Sequence, residues 1–405
     1  MIKKKIKGLI PSPLLNKIAV ERKRFNSKIY PIVKNSQSEF EIAYTVKDAT
    51  WEDAYYSECY MHNKEQHLKV FSPQEYIYRL HEAIVFCNSD VVLTTQGAYW
   101  GRYNNEEFVT WAKPYDARLV SFNREAVRLY RTNKKERIKG KVLPLVGNDC
   151  FHWVHSIFEF LPRLFTAGEA GLLDQPISIL VIENIDHTIL EIIKNYLLGF
   201  PKAKIVFVKS FIEYECEELY FQNVSGPGDS DSRFRLDYPW YIPRHVIEKT
   251  NKYFIDPVTE KIKNNNPKYE KIYLDRNSKF AKNGRMLKNR AEVHDYFQNQ
   301  GFVDIEGSNL SLEEKADIFY HAKEIIALHG SSLMNLAFCN NARVMIFGNY
   351  RFATDPIFYP FFRERVSDCI YVTGQDDTDQ FHSNYYIPLE KIKKAYNERI
   401  RTDKE

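Results

Sequence analysis

The stretch IIALHGSSLMNLAFCNNARVMIF, residues 325–347, carries the pattern that decides the fold. It reads as an apolar strand, a His-Gly-Ser-Ser turn, a short amphipathic helix and a second apolar strand. Two apolar strands joined by a helix are typical of a parallel sheet that is buried on both faces. The sequence therefore predicts an α/β fold.

The turn after the first of these strands has the composition of an anion-binding site. The predicted strand 324–328 ends at His329. Gly330, Ser331 and Ser332 then open the helix. The unpaired N–H groups and positive dipole of a helix start point out of the carboxyl edge of the sheet, where small residues let a diphosphate approach. The alternative is a tight turn in which Ser331 only caps the helix and His329 is a hydrogen-bonded turn residue.

The 405-residue chain is long enough for two domains, because single hydrophobic cores rarely grow beyond roughly 250 residues. Strands alternate with helices in two series, on either side of a segment at 223–243 that is dense in Gly, Pro, Ser and Asp. This pattern predicts two doubly wound domains with a cleft between them. The predicted units are an amino-terminal domain over 1–235, a carboxyl-terminal domain over 236–385 and a closing helix over 386–405.

Two predicted helices of the second series, 290–299 and 312–322, begin with the signature of a capping box. In this motif a polar side chain before the helix is followed three residues later by Glu or Gln. The two pairs are Asn289 with Glu292 and Ser311 with Glu314.

Composition argues against several classes of protein. With 44% hydrophobic and 27% charged residues, the chain is typical of a globular protein rather than a disordered one. The formal net charge is only +4 and no nucleic-acid motif appears, so nucleic acid is not an expected partner. No apolar run reaches the roughly 18 residues of a membrane span, and no secretory signal is visible, so we expect a cytoplasmic protein. The six scattered cysteines suit buried thiols in a reducing compartment.

The first 24 residues contain eight Lys or Arg and a single Glu. Because isoleucines and leucines are interleaved with these charges, the segment is suited to contact with an anionic membrane surface. The alternative is a solvated terminus.

A basic cluster follows the predicted strand 271–275. Parallel strands end at one edge of a sheet, so we expect Arg276 and Arg285 beside the Gly330 turn, where guanidinium groups can bind a diphosphate. The alternative, which applies most to Lys279, Lys282 and Lys288, is a solvated basic loop.

A third cluster lies in GNDCFHWVHSIFEFLPRL, residues 147–164. On a helix, His152, His155 and Glu159 have the spacing i, i+3 and i+7 and share one face. A His with a Glu can form a general base and the group that orients it. The same residues can instead be two ligands of a metal site, although zinc requires a third protein ligand. A third possibility is that they are polar residues packed on a partly buried helix.

The segment NDCFHWVHSIFEFLPRL, residues 148–164, resembles the N..H...E.LPRL signature of glycosyltransferase family 61. This family includes bacterial capsular polysaccharide biosynthesis proteins and some eukaryotic xylosyl- and N-acetylglucosaminyltransferases. The resemblance extends over roughly residues 140 to 350 through four motifs in the family's order. The downstream motifs are IYLDR at 272–276, Arg285 with Asn289, LSLEEKADIFYHA at 310–322 and HGSSLMNLAF at 329–338.

The resemblance implies a GT-B fold, in which two Rossmann-like domains flank a cleft and the carboxyl-terminal one holds a nucleotide-sugar donor. It also implies an inverting glycosyltransferase of capsule or surface polysaccharide synthesis that needs neither a metal nor a cofactor. Its acceptor is expected to be a glycan or a lipid-linked oligosaccharide, which would place the protein at the inner face of the cytoplasmic membrane.

Carried over by position, the donor-binding residues are Arg276, Arg285, His329, Gly330, Ser331, Ser332 and Asn335. The acceptor-side and catalytic candidates are Asn148, His152, His155, Glu159 and Arg163, to which Trp153 is added because its ring can stack on a sugar. Two other functions stay open: a metal-assisted hydrolase or phosphotransferase that uses His152, His155 and Glu159, and a non-catalytic nucleotide-binding module.

Overall fold

A computed structural model of the protein confirms the coarse fold class, α/β, since the described chain forms several sheets covered by helices. The structure describes residues 27–33, 40–61, 66–72, 74–100, 116–123, 125–223, 242–265, 267–275, 285–306, 310–353, 358–378 and 383–401. The basic segment 1–24, the predicted domain boundary at 235 and Arg276 lie outside these ranges. The division into domains therefore stays a prediction.

The strands are, in chain order, β1 Ser27–Pro31, β2 Glu41–Lys47, β3 Thr50–Tyr56, β4 Glu58–Cys59, β5 Gln66–Ser72, β6 Glu75–Phe86, β7 Val91–Leu93, β8 Ala98–Trp100, β9 Leu119–Phe122, β10 Ala126–Tyr130, β11 Lys135–Pro144, β12 Ile177–Ile182, β13 Ala203–Val208, β14 Glu213–Gln222, β15 Lys271–Leu274, β16 Val303–Asp304, β17 Glu324–Leu328, β18 Ala342–Phe347, β19 Val366–Val372, β20 Gln375–Asp376 and β21 Tyr385–Tyr386. The α-helical segments are Trp153–His155, Leu161–Glu169, His187–Leu197, Arg244–Thr250, Asp256–Ile262, Arg290–Asn299, Leu312–His321, Tyr350–Ala353, Tyr359–Phe362 and Leu389–Ala395. The π-helical segments are Ser156–Phe160, Asn251–Ile255 and Tyr396–Ile400, and the 3₁₀ helices are Leu172–Asp174, Ser331–Phe338 and Arg363–Arg365.

The carboxyl-terminal half is built on a six-stranded parallel sheet in the order β16-β15-β17-β18-β19-β4. All five residues of β17 are buried, which agrees with the continuous apolar run of its sequence. In chain order, β15 to β19 occupy the sheet in the order 2-1-3-4-5 of a doubly wound fold, and this order reverses between β15 and β17. Ligands of open α/β sheets bind at such a reversal, outside the carboxyl ends of the strands.

The amino-terminal half is built on an eight-stranded mixed sheet. Its parallel part has the order β13-β12-β11-β14, and these are the strands of the first predicted strand–helix series together with β14. Antiparallel strands from residues 41–100 extend the sheet beyond β14. The sequence pattern did not predict this extension of the sheet. The doubly wound arrangement predicted for this half is therefore present in only part of its sheet.

The two large sheets share one cluster of buried apolar side chains. Val142 and Leu180 belong to this cluster from the mixed sheet, and Ile325 and Val344 belong to it from the parallel sheet. Because buried apolar surface contributes most of the favourable free energy of folding, the contact between the halves adds to their stability.

All six cysteines are buried free thiols, and burial raises the pKa of the Cys150 thiol and the Cys216 thiol to about 12. Among the helices of the described ranges, none combines the length and the apolar character that crossing a membrane requires.

Candidate active site

The first part of the site is the turn at the carboxyl end of β17. The His329 N–H donates to the Phe347 carbonyl at 2.8 Å, which holds the turn against β18. Gly330 is the N-cap of the helix and has an extended backbone, and the helix begins at Ser331. A Cβ at Gly330 would meet nothing within 4 Å, so open space borders the turn. The alternative in which Ser331 is the cap is wrong, because Gly330 occupies that position and no side chain caps the helix.

The helix after the turn is a 3₁₀ helix, Ser331–Phe338, rather than the expected α-helix. Leu333 N–H donates to the Gly330 carbonyl at 3.0 Å, which is the i to i+3 bond of this tighter form. Ser331 is exposed and Ser332 is half-buried at its start. Asn335 is only 3% exposed, and its Oδ1 has no hydrogen-bond partner in the described part of the chain. A buried polar atom without a partner costs free energy, so Asn335 suits a site that a polar ligand completes.

His329 is buried beneath the turn. Its Nδ1 lies 2.9 Å from the hydroxyl oxygen of Tyr371 on β19, and the Phe358 ring packs edge-on against the imidazole at 5.4 Å. Tyr371 thereby fixes the orientation of the ring. The sequence did not predict this contact, although Tyr371 carries the one hydroxyl in the otherwise apolar CIYV segment of its strand.

The basic cluster is only partly visible, since Arg276, Lys279 and Lys282 fall outside the described ranges. Arg285 is half-buried and has φ of +64°, a left-handed backbone that non-glycine residues rarely adopt. Arg290 forms an ion pair with Asp275, which directly follows β15. A positively charged side chain, Arg290, and a negatively charged one, Asp275, thus lie at the carboxyl end of β15, where the strand order reverses.

The second part of the site begins at the loop after β11. A Cβ at Gly147 would lie 2.6 Å from Asp90 Oδ1 and 2.9 Å from atoms of the Phe160 ring, so only glycine fits without displacement of its neighbours. The Asn148 N–H donates to the same Asp90 oxygen at 3.1 Å, and the Asn148 side chain donates to Asp149 Oδ2 at 3.0 Å. Asp90, which sequence reasoning missed, therefore holds the loop in place.

The loop leads into a continuous helical segment at 153–169, the site helix, whose residues Ser156–Phe160 are π-helical. Single π turns within α-helices often occur at functional sites. This turn contains Glu159, whose Oε1 lies 2.7 Å from Nδ1 of His155. Glu159 is buried, whereas the His155 side chain is 25% exposed.

The hydrogen bond of this pair can be assigned for an ionised Glu159. A carboxylate oxygen only accepts hydrogen bonds, so Nδ1 of His155 then carries the proton. In the neutral ring Nε2 is then the basic atom. The arrangement is that of a general base with the carboxylate that orients it.

His152 lies one residue before the helix rather than within it, and its ring is next to that of His155. The helix begins at Trp153, and His152 is its N-cap with an extended backbone. Its imidazole centroid is 6.4 Å from that of His155, and its side chain is 58% exposed. His152 thus flanks the pair of His155 and Glu159.

The two other acceptor-side candidates are engaged in packing. The Arg163 guanidinium is buried 4.8 Å from the centroid of the Phe160 ring. The Trp153 ring packs edge-on against Phe254 at 6.4 Å and lies 4.9 Å from the ammonium of Lys315. Burial lowers the pKa of Lys315, whose Nζ also donates to Thr188 Oγ1 at 3.1 Å.

These contacts bring the two parts of the site together. The start of the site helix, Trp153–His155, contacts the 3₁₀ helix Ser331–Phe338. Phe254 joins them, because its ring packs against both Trp153 and Phe338. Within the part of the chain that the structure describes, no three His, Cys, Asp or Glu side chains are placed to hold a metal ion together.

A known family matches the part of the chain that carries both helices of the site. Residues 153–346 match the sequence model of the family described as Glycosyltransferase 61. The matched range begins at the first residue of the site helix and ends within β18, so it contains the pair of His155 and Glu159 and the turn after β17, whereas the loop at 147–152 precedes it. No curated protein matches the chain significantly.

Proposed function

Because the chain belongs to glycosyltransferase family 61 through residues 153–346, we propose that it is an inverting enzyme that moves a sugar from a nucleotide-diphosphate donor to a glycan acceptor. The observation that carries this proposal is the contact between the site helix, with its pair of His155 and Glu159, and the 3₁₀ helix after β17. One helix offers a base and the other offers a site for the leaving group.

His155 is the proposed catalytic base. Its Nε2 accepts the proton of an acceptor hydroxyl as the oxygen attacks the anomeric carbon, and Glu159 stabilises the imidazolium that forms. The exposure of the two residues supports this assignment, because the His155 ring is partly open to solvent and the Glu159 carboxylate is buried. Attack from the face opposite the leaving group gives inversion at the anomeric carbon.

The leaving nucleotide diphosphate is proposed to bind at the turn after β17. Backbone N–H groups at the start of the 3₁₀ helix, together with a ring N–H of His329, would donate to its oxygens, and the unpaired Oδ1 of Asn335, which is an acceptor, would accept from a hydroxyl of the donor. Arg285 and Arg276 would add positive charge, so that the diphosphate departs without help from a metal ion. The open space at Gly330 supports this placement.

We propose a GT-B-like arrangement for the whole molecule, with units over 1–235 and 236–385 on either side of the substrate cleft. The doubly wound order of the parallel sheet and the parallel series β11 to β14 support it. The setting we propose is capsule or surface polysaccharide synthesis in the cytoplasm, with segment 1–24 in contact with the inner membrane face. Deletion of that segment should then reduce membrane partition.

Glycosyl transfer after Glu159→Gln substitution tests the proposed chemistry. The amide keeps the shape of the side chain but loses the charge that orients His155, so turnover should fall about 10² to 10⁴-fold. Replacement of the exposed carboxylate Glu183 by Gln is the matched control and should leave turnover unchanged. Full turnover in the Glu159→Gln enzyme would remove the pair from the mechanism.

A thermal-shift panel of nucleoside diphosphates and their sugars, with and without a chelator, separates the alternatives. Stabilisation that survives chelation supports the proposed transferase. A response that is lost with the chelator would favour a metal-assisted hydrolase or phosphotransferase. Binding with no turnover on any donor would favour a nucleotide-binding module.

A further inference from the structure

One pocket of the described structure is lined by residues that do not belong to the candidate active site. It has a volume of about 510 Å³ and is lined by residues 130–134 and 209–212. These residues precede β11 and connect β13 to β14, and none of them belongs to the site helix or to the turn after β17. Neither sequence motifs nor the family signature points to this pocket.

A buried arginine, Arg118, lies next to two of the residues that line the pocket. Arg118 is 1% exposed, and both of its terminal nitrogens, Nη1 and Nη2, lack a hydrogen-bond partner in the described chain. Its Nε donates to Asn88 Oδ1 at 3.3 Å. The guanidinium carbon lies 5.7 Å from the ring centroid of Tyr130 and 5.8 Å from that of Phe211, and both of these rings line the pocket. A buried guanidinium with two nitrogens unpaired costs free energy that an anion would recover.

Phe211 is the exposed one of three aromatic residues whose rings surround this guanidinium, and the other two are Phe86 and Tyr130. The Phe211 side chain is 60% exposed, although a phenyl ring gains by burial. Its φ of +67° lies in the left-handed region, which is strained for a residue with a bulky side chain. Strained residues are concentrated at sites of function. Rotation of this one exposed side chain would open Arg118 to the pocket.

The charge of the pocket selects for anions. Arg131, Lys134 and Lys209 line it, and no Asp or Glu does so within the described chain. Arg131 is neutralised by Glu213, with Nη2 and Oε2 2.6 Å apart, whereas Lys134 and Lys209 form no ion pair with the described residues. Arg118 interacts electrostatically with the carboxyl groups of Glu213 and Asp116, so the excess of positive charge at the pocket comes from the two lysines.

We propose that this pocket binds an anionic saccharide, with the sugar ring against Tyr130 and Phe211 and its carboxylate or phosphate held by Arg118, Lys134 and Lys209. Aromatic rings offer the apolar surface on which sugar rings pack, and guanidinium and ammonium groups bind both kinds of anion. The anion site stands on the geometry alone, while the saccharide assignment rests on the proposed glycosyltransferase function. The pocket would then hold a charged unit of the acceptor at a distance from the reacting hydroxyl.

Calorimetric titration of the full chain with glucuronate, glucose 1-phosphate, inorganic phosphate and glucose, in the presence of excess UDP, tests this site. One of the two charged sugars should bind at least about tenfold more tightly than glucose, and which one does so distinguishes a carboxylate from a phosphate. Phe211→Ala should tighten that binding about threefold or more, because it uncovers Arg118. Lys209→Ala should weaken it by a similar factor, whereas Lys204→Ala, a change at an exposed lysine on β13 outside the lining, should not.

The substituted residues Phe211 and Lys209 are exposed. The test therefore does not require substitution of the buried Arg118, which can prevent folding. Equal affinity for glucose and the charged sugars, or no response to either Phe211→Ala or Lys209→Ala, would overturn the proposal and leave Arg118 as a structural cation among aromatic rings. Displacement of the charged sugar by UDP would also overturn it, since the two ligands would then share one site. Inorganic phosphate that binds as tightly as glucose 1-phosphate would overturn the saccharide assignment. Binding of glucuronate here in a chain that fails to bind UDP would contradict the proposed function and support the pocket.

Discussion

Tyr371 is the residue that controls the imidazole of His329 at the proposed donor site. Its hydroxyl lies 2.9 Å from Nδ1, and if the hydroxyl donates this bond, Nε2 carries the ring proton and can donate to a phosphate oxygen. Substitution of Tyr371 by Phe removes one hydrogen bond and keeps the ring. Since one such bond contributes about 1 kcal/mol, UDP affinity should fall about fivefold.

Titration calorimetry measures this change, and Tyr386→Phe is the matched control because Tyr386 is 42% exposed on β21. If the Tyr371→Phe protein binds UDP as tightly as the wild type, the hydroxyl has no role in donor binding.

Gly147 is a residue at which the absence of a side chain is required. An added methyl group would lie 2.6 Å from Asp90 Oδ1 and 2.9 Å from the Phe160 ring, so Gly147→Ala should lower the free energy of unfolding by about 1–3 kcal/mol. Urea denaturation measures the loss. Gly199→Ala is the control, since its Cβ would approach only the Tyr196 carbonyl at 3.8 Å. Equal stability of the two variants would contradict the close packing of the loop.

The contacts that the sequence predicted and the contacts that it missed differ in one respect. The two partners are close along the chain in the first group and far apart in the second. His155 and Glu159 are four residues apart, so helical spacing alone predicts their contact. Tyr371 is 42 residues from His329, and Asp90 is 58 residues from Asn148. No local pattern records contacts of this kind, because they arise from the order of strands in the sheets.

At the scale of elements, the sequence predicted the strands and helices of the second half well. It predicted the ends of the helices less well. The capping box of Ser311 and Glu314 is confirmed, with both reciprocal hydrogen bonds present. The box predicted for Asn289 and Glu292 is only partly present. Asn289 is the N-cap and its Nδ2 donates to Glu292 Oε2 at 3.0 Å, but its side chain accepts no hydrogen bond from the helix backbone. The same Nδ2 donates to the Ile387 carbonyl at 2.9 Å, so a tertiary partner shares this group with the local one.

The contact between helix Arg290–Asn299 and strand β16 gives a prediction of pH dependence. His294 Nε2 lies 2.9 Å from Asp304 Oδ2, and this hydrogen bond raises the pKa of His294 above its ordinary value of 6.5. Folding therefore favours the protonated ring, and the stabilisation is complete below about pH 6.5 and is lost as pH rises through the raised pKa.

Thermal denaturation at several pH values measures this effect as the difference in Tm between wild type and His294→Gln. The difference should shrink as pH rises from 6 to about 8. The same series with His187→Gln, at an exposed histidine, is the matched control. A difference for His294→Gln that is constant with pH would contradict the role of the Asp304 pair.

At the scale of the whole molecule, the parallel sheet was predictable and the mixed sheet was not. The apolar runs of β15, β17 and β18 have the composition of strands buried on both faces. Of the antiparallel strands, β6 pairs with β14, β2 and β7 pair with β6, and β8 pairs with β7, so their place in the sheet depends on contacts across most of the amino-terminal half. The contact between the site helix and the 3₁₀ helix also joins distant parts of the chain, and the sequence could place these two elements together only by family resemblance.

The central claim is that a diphosphate binds where the strand order of the parallel sheet reverses. A crystal structure of the protein with a nucleoside diphosphate such as UDP tests it most directly. Phosphate oxygens should lie within hydrogen-bond distance of the turn at 329–332, between the carboxyl ends of β15 and β17. A diphosphate bound elsewhere in the molecule, with that edge of the sheet empty, would contradict it.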